Sequence, residues 1–80
     1  MKPTSSIHQV YFNSAYLGVH LQDVELPEQC YLLGLIRSNQ VLTLADNPKV
    51  EEEDWLVAVA LNDALMPELD LTLHQSLPPN

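Results

Sequence analysis

Arg37 is the residue best suited to bind a ligand. Lysine and arginine number 3 against 11 aspartates and glutamates, and Arg37 ends an apolar run, CYLLGLIR, next to Ser38 and Asn39. A guanidinium in such a position can hold a phosphate or a carboxylate through two parallel hydrogen bonds. We therefore predict a ligand-binding patch of Ile36, Arg37, Ser38 and Asn39. The alternative is a surface ion pair between Arg37 and a glutamate, which is worth about 0 to 1 kcal/mol.

The acidic cluster and the histidines do not show the spacing of a metal site. Residues 51–54, EEED, lack the alternating oxygen ligands and the glycine of a calcium loop. We expect a solvated turn in which Asp54 accepts hydrogen bonds from nearby amides. His8, His20 and His74 are far apart in the sequence and lack the close spacing of zinc ligands. We therefore predict no metal site.

Catalytic residues are not evident either. A covalent mechanism needs a nucleophile held against a base, and Cys30, the single cysteine, begins an apolar run with no histidine near it in the sequence. Gly18 and Gly34 do not form a phosphate-binding loop, which takes several glycines in close order. We expect a protein that is not an enzyme and carries no cofactor, with Cys30 as a small buried residue.

The composition favours self-association over binding to nucleic acid. The formal net charge is -8, whereas contact with a phosphate backbone needs clustered lysines and arginines. Hydrophobic residues make up 46% of the 80 residues, and a chain of this size buries only about 60% of the surface that its unfolded form exposes. Apolar surface is then left over for a partner, and we predict a homodimer.

The same composition bears on where the chain resides. No apolar run approaches the roughly 18 residues that a membrane span requires, so we expect no direct membrane insertion. A single cysteine forms no disulfide within the chain and fits a reducing compartment. We expect a cytoplasmic location.

Hydrophobic periodicity predicts one α+β domain over residues 8–75. An unstructured lead-in is expected at residues 1–7 and a proline-containing tail at residues 76–80. Four apolar or alternating segments are predicted as strands: residues 8–13, 30–37, 40–45 and 55–61. Ser38 and Asn39 form the predicted two-residue turn of a hairpin.

Helices are predicted at two places. Apolar residues recur at helical spacing between the first two strands, so we predict the main helix within residues 14–26. A short helix is predicted after Asn62, with Pro67 interrupting it. Leucines alternate with polar residues over residues 68–74, which favours a strand over a helix there. The expected fold is a small, mainly antiparallel sheet with one main helix on a face, in the order β-α-β-β-β-α.

Two of the predicted strands, at residues 30–37 and 55–61, are apolar on both faces and therefore need covering on both. One helix covers one face, and a second subunit can cover the other. The residues that we assign to this dimer interface are Leu33, Leu35, Trp55 and Val57.

Several positions of the chain follow a known pattern. Its first part is a leucine, any residue, a glycine, two residues, a leucine, two residues, a leucine, any residue and a leucine. The residues at these positions in the chain are Tyr16, Gly18, Leu21, Val24 and Leu26. The hairpin LLGLIRSNQ and the loop that enters WLVAVAL, with its Val50, Glu53 and Asp54, complete the pattern. In these respects residues 16–61 resemble the TrkA C-terminal domain family, also called the C-terminal domain of regulators of potassium conductance. Tyr16 stands where the family has leucine, and Glu53 where it prefers glycine.

This resemblance implies a regulatory module, typically a homodimer, attached to a cation channel, an ion antiporter or another membrane transporter. Some members of the family bind a cyclic dinucleotide, notably cyclic di-AMP, between subunits. We therefore expect a ligand-sensing and dimerisation domain of an ion channel or transporter, in the same chain or in another. A ligand would act by favouring one dimer geometry. The alternative is a purely structural dimerisation domain without a ligand.

Overall fold

The computed structural model describes residues 2–76 as a four-stranded antiparallel sheet with a helix packed on one face. The strands are β1 (Thr4–Gln9), β2 (Cys30–Arg37), β3 (Gln40–Thr43) and β4 (Trp55–Ala60). Single 3-10 turns span Leu21–Asp23 and Asp63–Leu65, and the α-helix, α1, spans Met66–Leu73. The order across the sheet is β1-β4-β2-β3. The α+β class and the antiparallel sheet are therefore confirmed. Met1 and residues 77–80, most of the predicted tail, lie outside the described residues.

The central hairpin follows the prediction closely. The bounds of β2 are the predicted ones, and β3 and β4 begin at the predicted residues. Ser38 and Asn39 have φ of 49° and 65°, as in the two-residue turn that matches the twist of an antiparallel pair. The first strand differs, because β1 begins at Thr4, inside the predicted lead-in. Its backbone pairing with β4 holds this strand, and its serines gave no apolar alternation by which to detect it.

The main helix predicted within residues 14–26 is not formed, and this prediction was wrong. Gly18 has a φ of 81°, in the left-handed region that an α-helix excludes. The backbone N–H of Gly18 donates to the carbonyl of Val50 at 2.8 Å, and that of Leu21 donates to Pro48 at 2.9 Å. The segment is therefore a loop held by long-range hydrogen bonds, with one 3-10 turn that turns Leu21 into the core.

The principal helix lies instead at Met66–Leu73, so the strand predicted over residues 68–74 is wrong. Leu69 and Leu73, four residues apart, are both buried, whereas Leu71 is 74% exposed. Every second leucine of an alternating run also recurs at a spacing of four, which places those leucines on one side of a helix. Pro67 occupies the first turn, where the absence of an N–H costs nothing.

One face of the sheet carries the core. The loop after β1 and helix α1 both pack there, and the buried residues form one cluster: Val10, Tyr16, Leu21, Cys30, Leu32, Leu35, Val50, Leu56, Ala58, Ala60, Leu69 and Leu73. Burial raises the pKa of the Tyr16 hydroxyl, which donates a hydrogen bond to the carbonyl of Thr72 at 2.7 Å. Burial also raises the pKa of the Cys30 thiol, with a smaller contribution from Glu68, and the expected burial of Cys30 is confirmed.

Candidate functional site

The other face of the sheet carries exposed apolar side chains. Residues directly opposite each other in an antiparallel pair point to the same side. The register therefore gives three rows across the strands: Ser5–Val59–Tyr31, Ile7–Val57–Gly34–Thr43 and Gln9–Trp55–Ile36–Val41. We call these residues, together with Leu33, the open face. Its large exposed side chains are between 43% and 70% exposed.

A β-bulge in β2 decides which side chains reach the open face. Leu32 pairs with Ala58 and Gly34 pairs with the adjacent Val57, so Leu33 is an extra residue in β2. An extra residue shifts the alternation of side chains by one position. Leu33 therefore reaches the open face, whereas Leu35 points into the core.

Gly34 is required at this bulge by the neighbouring strand. A Cβ atom at this position would lie 2.5 Å from the backbone oxygen of Leu42. Backbone of a paired strand has little freedom to move away, so any side chain here would force β2 and β3 apart. The bulge and the glycine beside it thus form one structural feature.

The predicted dimer-interface residues are divided between the two faces of the sheet. Leu33 and Trp55 are exposed on the open face, and Val57 is half-buried there. Leu35 is 0% exposed, so a partner has no access to it in the folded chain and it does not belong to a surface. The strict alternation that grouped Leu35 with Leu33 fails at the bulge.

The open face has no charged member, and its polar residues, Ser5, Gln9 and Thr43, lie on the edge strands β1 and β3. Its centre is a shallow depression of about 230 Å³ lined by Ile7, Leu33, Gly34, Ile36, Val41 and Val57. Four strands about 4.8 Å apart and six residues rising about 3.4 Å each give a face of roughly 400 Å². Contiguous apolar patches of this size on small proteins are often functional.

Arg37 lies on the core side of the sheet and is already bound to a carboxylate. Its Nε donates to Asp54 Oδ1 at 2.9 Å, and its Nη2 donates to Asp54 Oδ2 at 2.7 Å. Nη2 also donates to the carbonyl of Lys49 at 2.7 Å, and Nη1 lies 3.3 Å from Glu51 Oε2. The hydrogen bonds that Arg37 donates to the Asp54 carboxylate raise the pKa of the guanidinium. Arg37 therefore makes the predicted surface contact to a glutamate, Glu51, and also binds a second, buried partner, Asp54.

Asp54 organises the loop before β4. It is 2% exposed, and its Oδ2 accepts the backbone N–H of Glu51 at 2.8 Å. This is the hydrogen bond to a nearby amide that the sequence predicted, and the three preceding glutamates are exposed as expected. The carboxylate therefore joins the end of β2 to the turn that starts β4.

The predicted ligand-binding patch is not brought together on one side. Ile36 belongs to the open face, Arg37 turns to the opposite side, and Ser38 and Asn39 form the exposed turn. The depression beside Arg37 is lined by Ser38 and by residues 51–54. An anionic ligand there would meet four carboxylates, so the geometry does not favour phosphate at Arg37.

Sequence reasoning missed three large exposed side chains of the open face: Ile7, Tyr31 and Val41. Each is more than half exposed. Tyr31 and Val41 lie in strands that were predicted, so their alternation was available as a signal. Ile7 was assigned to the lead-in, and only its pairing opposite Val57 places it on this face.

Comparison with known proteins does not assign the chain to a family. Neither a protein-family model nor a curated protein matches it. Within residues 2–76, no helix has the length and apolar character needed to cross a membrane. The resemblance to the TrkA C-terminal domain family stays a prediction.

Proposed function

We propose that the chain is a self-associating regulatory domain of an ion channel or transporter, located in the cytoplasm. The observation that supports self-association is the open face, a mostly apolar and uncharged surface on a chain with a net charge of -8. The regulatory part of the proposal rests on the sequence resemblance.

A second copy of the chain is the occupant that suits this face best. Two copies of the chain repel each other because both carry a net negative charge. The open face has no charged side chain, so contact through it desolvates no charge. Interface cores are depleted of charge and enriched in aromatic residues, and Trp55 and Tyr31 stand here. The acidic side chains of Glu51, Glu52 and Glu53 are in the loop before β4, outside the open face.

The size of the open face sets the expected strength of association. Two faces of about 400 Å² each fall below the roughly 1,200 Å² of total area that stable interfaces usually bury. A dimer through this face alone is then weak and depends on concentration. Attachment to a larger assembly raises the effective concentration of the second copy, which suits a module that a transporter carries in several copies.

A weak dimer also suits regulation. When the free energy of association is small, a ligand that binds one dimer geometry only modestly more tightly than another can shift the population between them. A ligand held between subunits, cyclic di-AMP in the case that the resemblance implies, would select one of these geometries. The change in dimer geometry would then move the transporter segments to which the domain is attached.

A purely structural dimerisation domain is the second candidate. Its support is the state of Arg37, whose guanidinium is engaged by Asp54, Glu51 and the Lys49 carbonyl. The cation on which the predicted ligand patch depended is thus committed within the chain. Self-association is common to both candidates, and they differ only in ligand binding.

Self-association is tested by placing a charge on the open face. Val41 is 70% exposed on the edge strand β3, where a charge is well tolerated in a monomer. We expect Val41→Glu to raise the dimer dissociation constant at least tenfold, because the carboxylate would be desolvated without a partner. Sedimentation velocity over a wide concentration range measures this constant.

Two further variants make this experiment specific. Ile7→Glu places the charge on the opposite edge strand and should give the same result. Leu71→Glu is the matched control, because Leu71 is equally exposed but lies on α1, away from the open face. A wild-type chain that stays monomeric at several hundred micromolar, or a dimer that only Leu71→Glu weakens, would overturn the assignment of this face.

Ligand binding is tested by thermal shift with a panel of cyclic dinucleotides. For the regulatory candidate we expect cyclic di-AMP at 100 times its dissociation constant to stabilise the fold by about 2.7 kcal/mol, which is a rise of several degrees in Tm. The monomeric Val41→Glu chain should lose this rise, because the ligand lies between subunits. Absence of any shift in the dimeric wild type at saturating concentrations would leave the structural candidate.

A further inference from the structure

His8 and His74 are brought together by the packing of α1 against β1. The Nδ1 atom of His8 lies 3.2 Å from the Nε2 atom of His74, although the two residues are 66 positions apart. Their ring planes are at 80° and the ring centroids are 4.4 Å apart, so the rings meet at an angle rather than end to end. The sequence had indicated three separate histidines. Only His20 stays apart from the others, with its Nδ1 3.2 Å from the carbonyl oxygen of Asn47.

Asp70 determines which nitrogen of His8 faces His74 without a proton. The Nε2 atom of His8 lies 3.0 Å from Asp70 Oδ1, and the hydroxyl of Ser6 donates to the same oxygen at 3.2 Å. An ionised carboxylate only accepts hydrogen bonds, so Nε2 of a neutral His8 carries the ring proton. The lone pair of His8 is then on Nδ1, the ring nitrogen that lies next to His74.

The separation of the two ring nitrogens is close to that of two ligands of one metal ion, and Asp70 is placed as a supporting carboxylate. Two nitrogens bound tetrahedrally at about 2.0 to 2.1 Å from zinc are about 3.3 Å apart, close to the distance found here. Histidine ligands commonly donate their other N–H to a carboxylate, which fixes the ring and raises its basicity. His8 is mostly buried, so its ring is already held in place.

We propose that His8 Nδ1 and His74 Nε2 are two ligands of a binding site for a divalent transition-metal ion of the zinc, nickel or copper class. Imidazole suits these metals, and Asp70 acts as a positioning residue. Among residues 2–76, no group of three or more His, Cys, Asp or Glu side chains is placed to hold a metal ion. Water would therefore complete the coordination shell, and a depression of about 130 Å³ lined in part by His74 and Gln75 lies beside it.

The bound metal would cross-link α1 to β1 on the core side of the sheet. The site does not involve the open face, because His8 shares its row with Leu56 and Leu35. The proposal is thus independent of self-association, and either can fail without the other.

Zinc titration of the full chain without a polyhistidine tag tests the proposal. We expect one Zn²⁺ per chain by isothermal titration calorimetry. His74→Gln, at the exposed end of α1, should lower the affinity at least tenfold, and Asp70→Asn should lower it about tenfold as supporting carboxylates do. His20→Gln should leave the affinity unchanged.

Nuclear magnetic resonance distinguishes ligation from a merely structural role of the histidines. Zinc should shift the Nδ1 resonance of His8 and the Nε2 resonance of His74, with the His20 ring unaffected. No binding at millimolar zinc overturns the proposal, as does binding that persists in the folded His74→Gln chain. Should His8→Gln fail to fold, the His74→Gln result and the spectra still decide the question.

Discussion

Replacement of Arg37 by alanine is expected to lower the free energy of unfolding by about 3 kcal/mol, the scale for breaking a buried ion pair by removing one partner. Asp54 is 2% exposed, and without Arg37 its carboxylate loses its counter-charge and two hydrogen bonds. The remaining hydrogen bond from the Glu51 amide does not offset that loss. Urea denaturation followed by circular dichroism measures the effect.

Two companion variants separate the buried pair from its exposed neighbour. Glu51 contacts the same guanidinium at 3.3 Å, but its side chain is largely exposed, so Glu51→Ala should cost no more than about 1 kcal/mol. Arg37→Lys keeps the charge and loses the two-pronged geometry, and we expect an intermediate loss. Equal small losses for Arg37→Ala and Glu51→Ala would show that Asp54 does not depend on Arg37.

The hairpin was predictable because its determinants are local. The apolar run of β2, the turn at Ser38 and Asn39, and the return of β3 are adjacent in the sequence. Both turn residues adopt the positive φ that two-residue hairpins require. Where neighbours in the sequence are also neighbours in space, residue types and spacing suffice.

The covering layer was not predictable because its determinants are distant. Helical spacing of apolar residues after β1 was read as a helix, yet Gly18 and Leu21 donate their backbone hydrogen bonds to Val50 and Pro48. The leucines of α1 suited both a strand and a helix, and only their packing distinguishes the two. In the loop after β1, long-range hydrogen bonds replace those of a helix. In α1, packing of the leucines against the core selects the helix over a strand.

The candidate sites were predictable only in part, for a related reason. The excess of apolar residues indicated an exposed apolar surface, and Leu33, Trp55 and Val57 are on it. Arg37 was recognised as unusual, but its partner Asp54 is 17 residues away, and the bulge in β2 sets the side to which Arg37 turns. The extra residue in β2 could not be detected from hydrophobic alternation, because Leu32, Leu33 and Leu35 are all apolar whichever face they reach.

Leu35→Ala is expected to lower the free energy of unfolding by about 2 to 5 kcal/mol, as removal of a fully buried leucine does. Leu35 is 0% exposed and faces Leu56 and Leu42 across the sheet. Its contribution is made inside one subunit. The dimer dissociation constant of the folded fraction should therefore stay close to that of the wild type, when it is measured at a temperature where the variant is folded.

Leu33→Ala is the matched variant, because it removes the same atoms two residues away on the same strand. It should cost less than about 1 kcal/mol of stability, as exposed positions do, and it should weaken self-association, because Leu33 is on the open face. Denaturation and sedimentation of both variants separate the two effects. A regular strand would place both leucines on one face and give them similar behaviour, so equal effects would contradict the bulge. Opposite effects are what an extra residue between Leu32 and Gly34 requires, since it places one leucine on the open face and the other in the core.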